Sequence, residues 1–114
     1  MSTVFEKIAA RELPATILYE SDQVMVIENI DPKAPVHVLA FTKQPFVSVD
    51  ELMENQENQP ILWELFAALH QVAGEKGIRE SGYKLVANCG PDASQSVPHL
   101  HIHLLGGTRL QDGT

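Results

Sequence analysis

Within SVPHLHIHLLGG, His99, His101 and His103 alternate with Leu100, Ile102 and Leu104, and Gly106-Gly107 closes the run. Three of the five histidines of the chain fall in this one stretch. Imidazole changes charge near neutral pH, and its neutral form serves as base, nucleophile or metal ligand. Strict alternation is the period of a half-buried strand, so Leu100, Ile102 and Leu104 are expected to point inward and the three imidazoles outward, sharing one face. Side chains two apart on a strand start roughly 6.5 to 7 Å apart, so these rings can converge on one small ligand or metal. Three uses fit such a face: solvent-facing histidines with no role, a zinc site to which His37 adds a ligand, or nucleophilic attack by one neutral imidazole on phosphorus. Against zinc, no carboxylate or thiolate follows at ligand-like spacing.

The loop that leads into this strand, Asn88-Cys89-Gly90-Pro91-Asp92-Ala93-Ser94-Gln95, is small and polar. With Ser96 it offers hydroxyls, amides and freely oriented backbone N–H groups, the chemistry of an anion cradle. The same residue types dominate ordinary turns, so only their place beside the histidines marks them as a phosphate site.

The elements that must hold these residues fit in 114 residues and 12.6 kDa, 44% of them hydrophobic, enough for one domain spanning residues 1–114 with one modest core. A net charge of −7, a pI near 5.0 and the lack of a basic cluster argue against DNA or RNA as partner. Cys89 is the only cysteine, which excludes an intrachain disulfide and fits a reducing compartment. Without a signal-like N-terminus or a bilayer-length apolar run, the expectation is a cytoplasmic protein with no membrane partner.

In chain order, residues 3–12 have helical spacing of Val4, Phe5, Ile8 and Ala9 behind Ser2 and Thr3 as caps, with Pro14 as the stop. Residues 16–20 and 23–28 read as a strand, a tight Ser21-Asp22 turn and a second strand. Asn29 to Pro35 is a rigid, proline-shaped loop, and residues 36–42 form a third strand in which His37, Leu39 and Phe41 share a face and His37 is partly buried. Ser48-Val49-Asp50-Glu51 matches a capping box for a short helix. Pro60 starts the main helix, whose stripe of Ile61, Leu62, Leu65, Phe66, Leu69, Val72 and Ala73 runs up to Gly77. Residues 83–87 form a fourth strand. Trp63 is expected to pack, and His70 and Cys89 to be inert.

QSVPHLHIHLLGG closely resembles the HxHxHxx signature of the histidine-triad (HIT) family. The likeness covers nearly the whole chain: TVFEKIAARELPATILYESD looks like the opening of its Hint branch, followed in order by VIENIDPKAPVHVLAFTK and KLVANCGPDASQSVPHLHIHLLGG. The resemblance implies an α+β fold with a five-stranded antiparallel sheet, one long helix and one or two short ones. It also implies a homodimer that joins two sheets into ten strands, and hydrolysis or transfer at the α-phosphate of a purine nucleotide. Carried over by position, His101 would be the nucleophile. His103 and Ser96 would hold phosphate oxygens or assist the leaving group, and His99 and His37 would orient and polarise His101. Asn88 and Gln95 would lie near the phosphate and leaving group, and Ile30 in an apolar nucleoside pocket. Such a scheme requires neither metal nor cofactor.

Two positions depart from the pattern. Asn29 stands where Hint members usually carry an Asp that accepts from both ribose hydroxyls, and a neutral amide offers one acceptor oxygen and an NH₂ donor instead. The chain ends TRLQDGT where the branch usually carries a Trp that reaches the partner subunit's site. The core chemistry should survive both changes, and the likeness to the Hint branch implies a purine nucleoside phosphoramidase. The alternatives are a dinucleoside polyphosphate hydrolase and a slow nucleotide-binding or interaction protein.

Overall fold

A computed structural model describes residues 2–111. Five antiparallel strands form one sheet: β1 (Ile17–Glu20), β2 (Val24–Glu28), β3 (Val36–Thr42), β4 (Tyr83–Val86) and β5 (His101–Gly106). Their spatial order is β1-β2-β3-β5-β4, so β5 lies between β3 and the edge strand β4. Helices α1 (Val4–Ala9), α2 (Val49–Met53) and α3 (Gln59–Glu75) complete the α+β architecture, with 3-10 turns at Gln56–Asn58 and Pro91–Ala93. No helix among the described residues is long and apolar enough to cross a membrane.

The sheet is covered on both sides. On one face Val24, Val26, Val38, Ala40, Ile102 and Leu104 pack against Ile61, Leu65, Ala68, Leu69, Val72 and Ala73 of α3. The opposite side chains, Met25, Ile27, Leu39 and Phe41, pack against Phe5 and Ile8 of α1. This double cover explains why Val24 to Ile27 are all buried, and it corrects the outward histidine face expected from alternation. Leu100, Ile102 and Leu104 do point to the α3 side, but on the other side α1 covers His99 and His101. His99 is 0% and His101 8% exposed.

Other boundaries shift for local reasons. The α1 helix ends at Ala9, well before Pro14, because Arg11 turns the chain with a left-handed φ of 63°. The β5 ladder begins at His101, not at His99: Pro98 has no N–H, and the Leu100 amide donates to the Phe46 carbonyl at 2.7 Å. Ser48 caps α2, but the Glu51 carboxylate reaches back to the Val47 amide at 2.7 Å instead of to Ser48. Trp63, expected to pack, is 76% exposed on α3, and Phe66 one turn on is exposed as well.

Candidate active site

Register decides which imidazoles meet. In the β3–β5 ladder Phe41 lies opposite His101, Leu39 opposite His103 and His37 opposite Leu105, so His37 and His103 are diagonal neighbours on the α1 face. Their rings are 5.2 Å apart between centroids, as are those of His101 and His103.

The backbone partners fix the proton positions. The Thr42 carbonyl can only accept, so His99 carries its proton on Nε2 and donates it there at 2.6 Å. Burial holds the His99 pKa below the ordinary histidine value, so the ring is neutral and its Nδ1 accepts from the Thr3 hydroxyl at 2.8 Å. The His99 carbonyl in turn accepts from His101 Nδ1–H at 2.7 Å. In its neutral form His101 therefore has its lone pair on Nε2. No hydrogen bond engages that atom among the described residues, and none of their buried side-chain nitrogens or oxygens lacks a partner. Nε2 is therefore not fully buried. The Phe5 ring, 4.8 Å from that of His101, covers the imidazole from the α1 side.

A second chain of hydrogen bonds orders the other pair. The Lys33 backbone N–H donates to His37 Nδ1 at 3.0 Å, which leaves the His37 proton on Nε2, 2.9 Å from His103 Nδ1. His103 accepts it and keeps its own proton on Nε2. Burial, and then the neighbouring His101 and His37, push the His103 pKa down to about 4, and burial also lowers that of His37. Both rings border an open cleft of about 640 Å³. Asn29, Asp31 and Lys33 line one side of it, Lys84, Val86, Asn88 and Leu105 another, and Thr108 to Gln111 the end. Gly107 sends the tail there: its φ is +86°, and a Cβ on it would come 3.0 Å from Pro35.

The structure does not gather every expected residue. Asn29 lines the cleft, with Oδ1 accepting from the Asp31 amide at 2.9 Å and its amide nitrogen 3.1 Å from His37 Nε2. Asn88 lines it too and donates to the Ala93 carbonyl at 2.8 Å. Gln95 braces its own loop, accepting from the Gly90 amide and donating to the Val47 and Val97 carbonyls. Ser96 is exposed and does not border the cleft, and Ile30 is 96% exposed. Sequence reasoning missed Thr3, Phe5, the Lys33 amide and the tail. Of these, Thr3 had a legible signal: Thr3 and Glu6 form a capping box.

A zinc ion does not fit this donor set. Both ring nitrogens of His37 and of His99 are engaged in hydrogen bonds, and His103 Nδ1 is occupied as an acceptor. Among the described residues no three His, Cys, Asp or Glu side chains are grouped to hold a metal.

The family model described as scavenger mRNA decapping enzyme C-term binding matches residues 2–112. An uncharacterized HIT-like protein of Synechococcus elongatus is 44% identical over 108 residues, covering 95% of this chain and 92% of the relative. The chain belongs to the histidine-triad (HIT) family. Among solved structures, the HIT chain is similar to a HIT family hydrolase from Clostridium thermocellum, with 47% identity, a TM-score of 0.91 and coverage of 96% of this chain and 94% of that one. It is also 37% identical to a 14 kDa zinc-binding protein of Zea mays, over 95% of this chain and 84% of the relative.

Proposed function

We propose that this HIT chain is a hydrolase of purine nucleoside 5′-phosphoramidates, of the Hint branch. The observation that carries the reading is the His101 Nδ1–H bond to the His99 carbonyl, which leaves the Nε2 lone pair of a mostly buried ring without a hydrogen-bond partner among the described residues. Attack of Nε2 on the α-phosphorus forms a P–N bond to His101 as the bond to the substrate nitrogen breaks. The departing amine takes a proton from water, while neutral His103 donates its Nε2–H as a hydrogen bond to a phosphoryl oxygen. Water then cleaves the histidine adduct, releasing the nucleoside monophosphate and regenerating the imidazole. His99 and His37 orient the catalytic rings. Ser96 and Asn88 serve the phosphate and leaving group, with Gln95 bracing the loop that carries them, Asn29 serves the ribose, and Ile30 the base. No metal or cofactor takes part.

The working unit in this reading is a cytoplasmic homodimer of single-domain subunits. The place of β4 at the sheet edge and the exposed Trp63 and Phe66 on α3 support it, since pairing with a second copy buries both kinds of surface. A monomer in sedimentation at micromolar concentration would remove this part. Turnover by metal-free protein tests the rest. The reading expects a higher kcat/KM for adenosine or guanosine 5′-phosphoramidate than for a diadenosine polyphosphate. The reverse ranking would assign the chain to polyphosphate cleavage, and tight nucleotide binding without turnover to a binding protein. Activity that appears only with added zinc would move the histidines to a metal role.

A further inference from the structure

We infer that Thr3, at the start of α1, is a positioning residue for His101, acting through His99; its link to activity rests on the function proposed above. His99 lies just outside the β5 ladder and behind Pro98, so sheet pairing does not hold its carbonyl. Its own amide donates only to the nearby Val97 carbonyl. What fixes His99 is its ring, held at opposite ends by the Thr3 hydroxyl and the Thr42 carbonyl. That anchored residue presents the carbonyl on which His101 places its Nδ1 proton.

The Thr3 hydroxyl has one proton and two lone pairs, and both functions are used. It accepts from the Glu6 amide at 3.2 Å, capping α1, and its proton goes to His99 Nδ1. Docking of α1 and immobilisation of His99 are therefore one interaction. A six-residue helix has no independent stability, so α1 persists only through Phe5, Ile8 and this bond. Phe5 packs at a tilt against both His99 and His101, and the same docking covers the nucleophile and sets its tautomer.

The role needs a donor at position 3, which separates it from simple capping. Ser supplies cap and donor. Asn supplies both through its amide. Asp caps equally well but, ionised, has no proton to give. The charged or titratable groups facing His99 are Glu6 from α1 and His101 from β5, with the Thr42 carbonyl on the β3 side. A carboxylate at position 3 would add a strong acceptor against Nδ1 and draw a second proton onto the ring.

The test is a series of Thr3→Ser, Thr3→Asn, Thr3→Asp and Thr3→Val in full-length protein with ¹⁵N-labelled histidine. His99 and His101 tautomers are read by long-range ¹H–¹⁵N spectra at pH 7, and turnover of adenosine 5′-phosphoramidate is followed in parallel. Ser and Asn should keep wild-type tautomers and rescue kcat. Asp should turn His99 into an imidazolium and lower kcat by about 10- to 100-fold with little change in KM. Val should lose the fixed His99 signal. An Asp variant with wild-type spectra overturns the proposal, as do Ser and Asn variants that behave like Val. If wild-type protein has no turnover the proposed function fails, while the spectra still decide the role of Thr3.

Discussion

His99 and His101 lie under α1 with phenylalanine on their faces, whereas His37 and His103 border open cleft, although all four side chains occupy the same face of one sheet. In the covered pair each ring is held by a backbone carbonyl or a capped hydroxyl, so protons are fixed and one lone pair is left outward. In the open pair one N–H points from His37 to His103, and the far nitrogen of His103 keeps a proton with no hydrogen-bond partner among the described residues. The first arrangement suits a nucleophile that must keep one tautomer. The second suits a neutral ring whose N–H donates a hydrogen bond to substrate.

The comparison breaks most severely if the cover is removed. Phe41 is fully buried between Phe5 and His99, and Phe41→Ala should cost about 3–5 kcal/mol in urea unfolding. Lys33→Ala, on the open side, should leave the unfolding midpoint unchanged. On the open pair, His103→Ala should lower kcat about 100-fold by removing the N–H that would hold a phosphoryl oxygen, with the fold retained by circular dichroism.

Acid titration sharpens the same contrast. His37, His99 and His103 all have folded pKa values below the ordinary 6.5 because burial disfavours their charged forms. The unfolded chain then binds more protons below about pH 6.5. The stabilisation is complete above that value and is lost as pH falls, down to about 4 where folded His103 takes up its proton. His103→Gln should flatten the fall in melting temperature between these limits; an unchanged slope would contradict the assigned burial. The smallest expected effect is that of Asn29→Asp. A carboxylate beside His37 Nε2 should raise the His37 pKa toward its ordinary value, read by NMR titration.

Much of this division was invisible in the chain alone. Alternation in His99–Leu104 sorted the side chains correctly between two faces, and β3 occupies the predicted residues 36–42. Periodicity, however, says nothing about what covers a face, and α1 lies more than 90 residues upstream of the histidines it shields. Side-chain commitments were equally hidden. Gln95 is legible as a polar loop residue, but its bonds to Gly90, Val47 and Val97 depend on a loop brought close only by folding. Trp63 reads as a packing residue rather than a ligand-stacking one, and it lies outside because none of the described residues covers the α3 surface at that position. The HIT signature was fully legible because its message is carried by local spacing.

The central claim is that His101 Nε2 becomes covalently bonded to phosphorus, and trapping that bond tests it most directly. Metal-free wild type and His101→Ala should be mixed rapidly with adenosine 5′-phosphoramidate, quenched and analysed by intact and peptide mass spectrometry. The account predicts a transient adenylyl adduct mapped to His101 in the wild type, and neither adduct nor AMP release in the variant. AMP release that persists in His101→Ala, or an adduct mapped to another residue, would contradict it.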